Sequence, residues 1–165
     1  ALNALEADRT HFQEMIEAFD YGNNRESIFM ISGTRVQLHL AKNPIGFQQK
    51  ISLVLKDKKP KDIIIHINDT YQDGEDISWL WDVDFQYLGD AQAATITTTG
   101  TRRHDMGLRL KYEDIPCTSV LDMRTAIKKL VISGTKNLYI VVNYSGLYQT
   151  NRLLQELQDE EKGDF

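Results

Sequence analysis

The 165-residue chain is 41% hydrophobic and 26% charged, an ordinary globular composition with room for one domain and a full core. Its net charge is −5 with a pI near 5.3, and its basic residues are scattered apart from Lys56-Asp57-Lys58-Lys59-Pro60-Lys61, which includes an acid and reads as a solvated turn, so nucleic acid is a poor partner. The single cysteine, Cys117, excludes an internal disulfide and a cysteine-cluster zinc site and fits a reducing cytosol, and no apolar run approaches the roughly 18 residues of a membrane-spanning helix.

In chain order, Phe12, Met15, Ile16 and Phe19 recur at helical spacing and predict an amphipathic helix over residues 8–19, closed by Tyr21-Gly22-Asn23-Asn24. The chain starts at Ala1 inside this pattern without a Met, and is read as a piece of a longer protein. Ser27 to Ile31 and Arg35 to Leu40 flank Ser32-Gly33-Thr34 as a hairpin. After Lys42-Asn43-Pro44, a helix is predicted from Ile45 to Leu55, with Pro44 near its first turn and Ile45, Ile51, Val54 and Leu55 inward. Strands are predicted over Asp62–Ile67, Ala94–Thr98 and Leu138–Val142. Short or full helices are predicted over Arg102–Tyr112, Leu121–Ser133 (Met123, Ile127, Leu130 and Val131 inward, ending at Gly134) and Gly146–Glu160. Strands alternating with helices define an α/β class with a mainly parallel sheet and helices on both faces.

The segment Asn68 to Asp82, NDTYQDGEDISWLWD, concentrates the chemistry. It places Asp69, Asp73, Glu75 and Asp76 directly after the continuous β-branched strand, where open α/β sheets bind ligands. Asp73-Gly74 suits a turn, and Asp76-Ile77-Ser78-Trp79 can start a short helix. By composition alone the same residues suit turns and caps equally well. Elsewhere the sequence carries no GxxxxGK[ST], GxGxxG or GxSxG pattern. His11, His39, His66 and His104 lack metal-ligand spacing, with His39 and His66 read as structural strand histidines, and Cys117 has no flanking base to lower its pKa.

Three segments together resemble one family. Ala41-Lys42-Asn43-Pro44-Ile45-Gly46, the run Asp73-Gly74-Glu75-Asp76-Ile77-Ser78-Trp79-Leu80-Trp81-Asp82, and Asn143-Tyr144-Ser145-Gly146-Leu147 with Arg152-Leu153-Leu154 are similar to the C-terminal domain of MurT proteins, over nearly the whole chain. The acidic run with its Ser-Trp-Leu-Trp tail is the specific element, and KNPxG is shared more widely among Mur ligases. The resemblance implies a Mur ligase C-terminal-type, Rossmann-like domain spanning 1–165, with residues 1–24 as the last helix and linker of a preceding middle domain. It also implies the ligase subunit of lipid II isoglutaminyl synthase, an enzyme that amidates the D-glutamate α-carboxylate of the peptidoglycan precursor and works in the cytoplasm, with the inner membrane face as a further option. Its partner is a GatD-like glutamine amidotransferase subunit, and its cofactor is ATP with Mg, bound mostly by domains outside this chain.

The resemblance further assigns residues. Asn43 matches the Asn-Pro loop that closes over ATP. The polar run that other Mur ligases often place before it is replaced here by Leu38-His39-Leu40, so Lys42 is the neighbouring phosphate contact, with a solvated lysine as the plain alternative. The family's ligase subunit donates an acid to the partner's Cys-His pair, since a carboxylate on the far ring nitrogen fixes the imidazole whichever chain supplies it. Asp76 is the first choice because it stands at the start of the short helix, and Asp73 is the second. Glu75, Trp79 and Trp81 are expected at the partner interface, with one tryptophan buried in the domain. An ordinary Mur-type amino acid ligase domain, or a non-catalytic interaction domain, would share the fold without needing the acidic run.

Overall fold

The computed structural model describes residues 26–91 and 93–163, so the helix predicted over 8–19 lies outside the described residues. The first two strands, β1 (Glu26–Ile31) and β2 (Thr34–Leu40), pair antiparallel about Ser32 and Gly33, which have φ of 46° and 72°. Two successive positive φ values match the right-handed twist of a two-residue hairpin. The sheet then runs parallel through β6 (Asn137–Val142), β3 (Lys61–His66), β4 (Ala93–Thr99) and β5 (Thr118–Ser119), giving the order β1-β2-β6-β3-β4-β5.

Helices cover both faces. α1 (Pro44–Lys56) and α2 (Arg103–Lys111) pack Phe47, Ile51, Val54, Met106 and Leu110 onto Ile63, Ile65 and Val141. α3 (Met123–Ile132) and α4 (Tyr144–Gly163) pack Ala126, Ile127, Leu130, Leu154 and Leu157 onto Ile64, Ile140 and Val142. Alternate residues of β3 and β6 thus enter opposite cores, which is why both strands read as unbroken apolar runs. Burying one such isoleucine contributes about 1.5–3 kcal/mol.

The structure departs from sequence expectation at particular points. Ile45 is 72% exposed, and Phe47 takes the inward place. With Asn43 capping and Pro44 opening the helix, positions 47, 51 and 54 share the core face, and 45 lies two residues, about half a turn, away from it. The third helix starts at Met123 rather than Leu121, because the Asp122 carboxylate accepts from Thr125 N and so fixes the N-cap. α4 begins at Tyr144, directly after β6. Two features have little sequence signal: the two-residue β5, and a second 3-10 helix at Phe85–Asp90 that buries Phe85 and Leu88.

β4 ends at Gly100, whose φ is 91°. A Cβ there would run into the Ile67 carbonyl oxygen, so both the backbone conformation and the space require glycine. Gly100→Ala is expected to lower the stability of this chain by more than about 2 kcal/mol, read from the urea midpoint at unchanged m.

Candidate functional site

The loops leaving β2, β3, β4 and β6 meet at the carboxyl edge of the sheet. The chain leaves β2 toward α1 on one face and β6 toward α4 on the other, so the edge between these neighbours opens as a crevice, the usual ligand position in such sheets. Asn143, 2% exposed, ties this edge together. Its Oδ1 accepts from Asn68 N at 3.1 Å and its Nδ2 donates to Asn68 O at 2.7 Å. Asn68 in turn donates from Nδ2 to Ser145 Oγ at 3.1 Å and accepts from Thr101 N at 3.1 Å. The loops after β3, β4 and β6 are thereby one hydrogen-bonded unit.

The four acids of the loop have different fates. Asp69 accepts from Thr101 Oγ1 at 2.7 Å and pairs with Arg102 at 3.4 Å. Asp73 accepts from Ser145 N, in the first turn of α4, at 2.8 Å, and from Thr70 Oγ1 and Thr70 N at 2.7 and 3.3 Å. An anion at a helix N-terminus is stabilised by the free N–H groups and the helix dipole, so Asp73 latches the loop to α4. Glu75 and Asp76 are exposed. Asp76 stands two residues before the first 3-10 helix (Ser78–Asp82) and not at its first residue. It accepts from Ser78 N at 2.7 Å and Ser78 Oγ at 3.0 Å, and these two bonds hold its carboxyl below the ordinary range.

The two tryptophans also separate. Trp79 is half-buried and packs on Phe47, with ring centroids 5.5 Å apart. Trp81 is 53% exposed and stands edge-on to the exposed Tyr112 at 5.2 Å. Two open clefts result, one on each side of the loop. A cleft of about 310 Å³ is lined by Lys42, Asp73, Trp79, Asn143 and Tyr144. Another of about 300 Å³ is lined by Glu75, Asp76, Trp81, Arg102 and Asp105. Lys42 is exposed, and the Asn43 side chain caps α1 by accepting from Gly46 N at 2.8 Å. Sequence reading missed Asn68, Asn143 and Arg109 as organisers of the site, and only the position of the first two at strand ends marked them.

His66 ends β3 and lies against the start of α4. Its Nδ1 meets Thr99 Oγ1 at 2.9 Å, and its ring lies against Gly146, where any Cβ would collide with it. Burial depresses its pKa to about 4, against the opposing pull of the Asp73 carboxylate. It is a neutral packing group at pH 7. Burial likewise pushes the Cys117 thiol up, which suits an inert side chain. Among the described residues no group of three His, Cys, Asp or Glu is placed to hold a metal ion.

An open sheet with this crossover pattern is a fold shared with a solved Mur ligase. The structure of UDP-N-acetylmuramate-alanine ligase MurC from Thermotoga maritima matches 96% of this chain and 35% of its own, with a TM-score of 0.55 at 16% identity. More specifically, residues 40–147 match the family model of the MurT ligase C-terminal domain, and the chain belongs to that family. It is 28% identical over 137 residues to the lipid II isoglutaminyl synthase (glutamine-hydrolyzing) subunit MurT of Streptococcus pneumoniae strain R6, covering 81% of this chain and 31% of that protein. It is 32% identical over 106 residues to the subunit of the same name in Staphylococcus aureus strain COL, covering 64% of this chain and 24% of that protein. The chain thus spans less than a third of the length of either relative.

The His66 environment has a measurable consequence. Its folded pKa lies below the unfolded value of about 6.5, so the unfolded chain holds the extra proton between these values. Stability is unaffected by this group above about pH 6.5, and falls by on the order of 3 kcal/mol as pH drops toward 4. Urea unfolding across that window should show the fall in the parent chain and a flatter profile in His66→Gln.

Proposed function

We propose that this domain is the C-terminal part of the ATP-dependent ligase subunit of a lipid II isoglutaminyl synthase, and that Asp76 completes the histidine-containing catalytic unit of a GatD-like glutaminase partner. The observation that carries the reading is the division of acids within the loop. A carboxylate offers about four acceptor sites. Asp73 spends three of them on Ser145 and Thr70, whereas Asp76 spends two on Ser78, is exposed, and stays ionised. A carboxylate in that state can accept an imidazole N–H from a second protein, fix its tautomer and stabilise the imidazolium that forms as the thiol is deprotonated. Asp73 is the latch in this assignment. Glu75 and Trp81 border the same cleft as Asp76 and face the partner, and Trp79 braces the segment from inside.

The cleft lined by Lys42 serves the ligase half-reaction. Lys42 stands beside the N-terminus of α1, whose first turn carries no acid, a setting that fits the phosphates of ATP. Asn43 Oδ1 is engaged by the cap, which leaves the Nδ2 group to donate to a ligand. In this reading most of the Mg ligands lie in other parts of the enzyme and on the phosphates themselves. When bound, ATP supplies the phosphoryl group that activates the D-glutamate α-carboxylate for attack by ammonia. The contribution of this chain is then to place Lys42 and Asn43 against phosphate and to exclude water by closing over the nucleotide. In this reading the enzyme works in the cytoplasm, at the inner membrane face where its lipid-linked substrate lies.

Two measurements on the complete ligase subunit, numbered as in this chain and reconstituted with its glutaminase, test the assignment. Asp76→Asn should lower glutamine hydrolysis by roughly 10²- to 10⁴-fold while the complex still forms by gel filtration. Normal hydrolysis in Asp76→Asn with a large loss in Asp73→Asn would transfer the role to Asp73. Asn43→Asp retains a good N-cap and so the fold, yet sets a negative charge against phosphate. It should reduce ATP-dependent amidation by about 10-fold or more with glutamine hydrolysis near normal, and parallel loss of both activities would refute the separation of the two clefts.

A further inference from the structure

Among the described residues the Asp76 carboxylate is bonded only within its own segment, to Ser78, so the position of the acid depends on what holds the first 3-10 helix. That helix has no side-chain cap at its start, and its 3-10 bonds leave terminal carbonyls to be satisfied elsewhere. One side chain reaches two carbonyls of this stretch. Arg109 of α2, 6% exposed, donates from Nε to Leu80 O at 3.3 Å and from Nη2 to Val83 O at 2.9 Å. Its Nη1 is held by the Glu113 carboxylate, just past the end of α2. The guanidinium also lies between two rings, 5.2 Å from the Trp81 centroid and 5.5 Å from that of Phe85. Two of the three guanidinium nitrogens are therefore directed at the segment that carries Trp81 just after Asp76, the third is anchored by Glu113, and only a planar, multiply donating cation fills these roles together.

Resting on the assignment of Asp76 above, we propose that Arg109 is a positioning residue for glutamine hydrolysis. It clamps the Ser78–Val83 segment so that Asp76 meets the partner's histidine in register and Trp81 presents a fixed face to the partner. Arg109 lines the cleft of Asp76 and not that of Lys42, which the clamped segment touches through Trp79 alone, so its effect falls mainly on one half-reaction. Lysine retains the charge but cannot reach both carbonyls and Glu113 while stacking on two rings.

The test compares Arg109→Lys with the parent ligase subunit in complex with its glutaminase. The expected result is a fall of about 10- to 100-fold in kcat for glutamine hydrolysis, since a small displacement of a catalytic group is enough for that. The KM for glutamine should stay within about 3-fold, and ATP-dependent amidation from added ammonium salt should be retained, because neither needs the acid in register. A merely structural role would lower both activities together, and that outcome, or hydrolysis at the parent rate, overturns the proposal. If Arg109→Lys does not fold, Glu113→Gln decides the matter: it frees one arm of the fork and should lower hydrolysis kcat by about 3-fold with ammonium-dependent amidation unchanged, and no loss overturns the proposal. Asp76→Asn run in parallel separates the two claims. Loss in Asp76→Asn without loss in either second variant rejects Arg109 alone, and normal hydrolysis in Asp76→Asn rejects the underlying assignment.

Discussion

The geometry of the site depends on one buried amide. Asn143 sits at the end of β6 with both ends of its side chain bonded to the backbone of Asn68, at the end of the neighbouring β3. A primary amide is the side chain that can accept from an N–H and donate to a C=O of the same residue at once, which is the pattern a strand edge presents. Each of these groups left unmade in the interior would cost about 1–3 kcal/mol, so the pairing is strongly enforced. Through it the register of β3 on β6, set by two isoleucine- and valine-filled cores, becomes the starting point of the acidic loop. Asn68 then passes that reference to Thr101 and Ser145, and three loops share one frame.

From that frame outward the loop is held in two halves by different helices. Residues 68 to 73 belong to α4, through Asp73 on Ser145 N and Asn68 on Ser145 Oγ. Residues 78 to 85 belong to α2 and the core beneath α1, through Arg109, Leu80 and Phe85. Gly74 lies between the halves with φ of 76° and open space around its Cα. A backbone that must turn sharply where no packing guides it needs the residue with no Cβ. Glu75 and Asp76 follow at once and are exposed for the same reason, because neither anchored half has surface left to cover them.

Much of this was legible in the sequence, and the parts that were not share a cause. The unbroken apolar runs at Ile63–Ile67 and Leu138–Val142 indicate strands buried on both faces, and the α/β class follows from their alternation with helical periods. The Ser32-Gly33 turn and Gly134 are local signals, and the positive φ values confirm them. The inward face of α1 was misread at Ile45 because hydrophobicity alone does not fix the phase of a helix that begins with an external apolar residue. β5 was invisible because two exposed residues carry no period. At the site, DGEDISWLWD marks a special loop, but the division of its acids rests on partners 72 residues away in sequence, such as Ser145 for Asp73, which no local pattern encodes. Arg109 was hidden for the same reason, since within α2 it looks like an ordinary last-turn cation.

The arrangement shows how a loop of like charges can be stable and still leave one charge for another protein. Four carboxylates within eight residues repel one another, and the domain relieves this by leaving Glu75 exposed to solvent and giving the other three different counter-groups: Arg102 for Asp69, the α4 dipole for Asp73, and the Ser78 N–H and hydroxyl for Asp76. The first two are partial neutralisations by positive groups fixed in the fold. The third is a pair of neutral hydrogen bonds from a side chain two residues away, enough to keep Asp76 ionised but leaving its negative charge uncompensated. A cationic imidazolium arriving from outside would supply that compensation, and the favourable Coulomb term grows as the approach removes water from the cleft. Among the three acids that the fold holds in place, Asp76 is therefore the one whose charge is best retained for a partner.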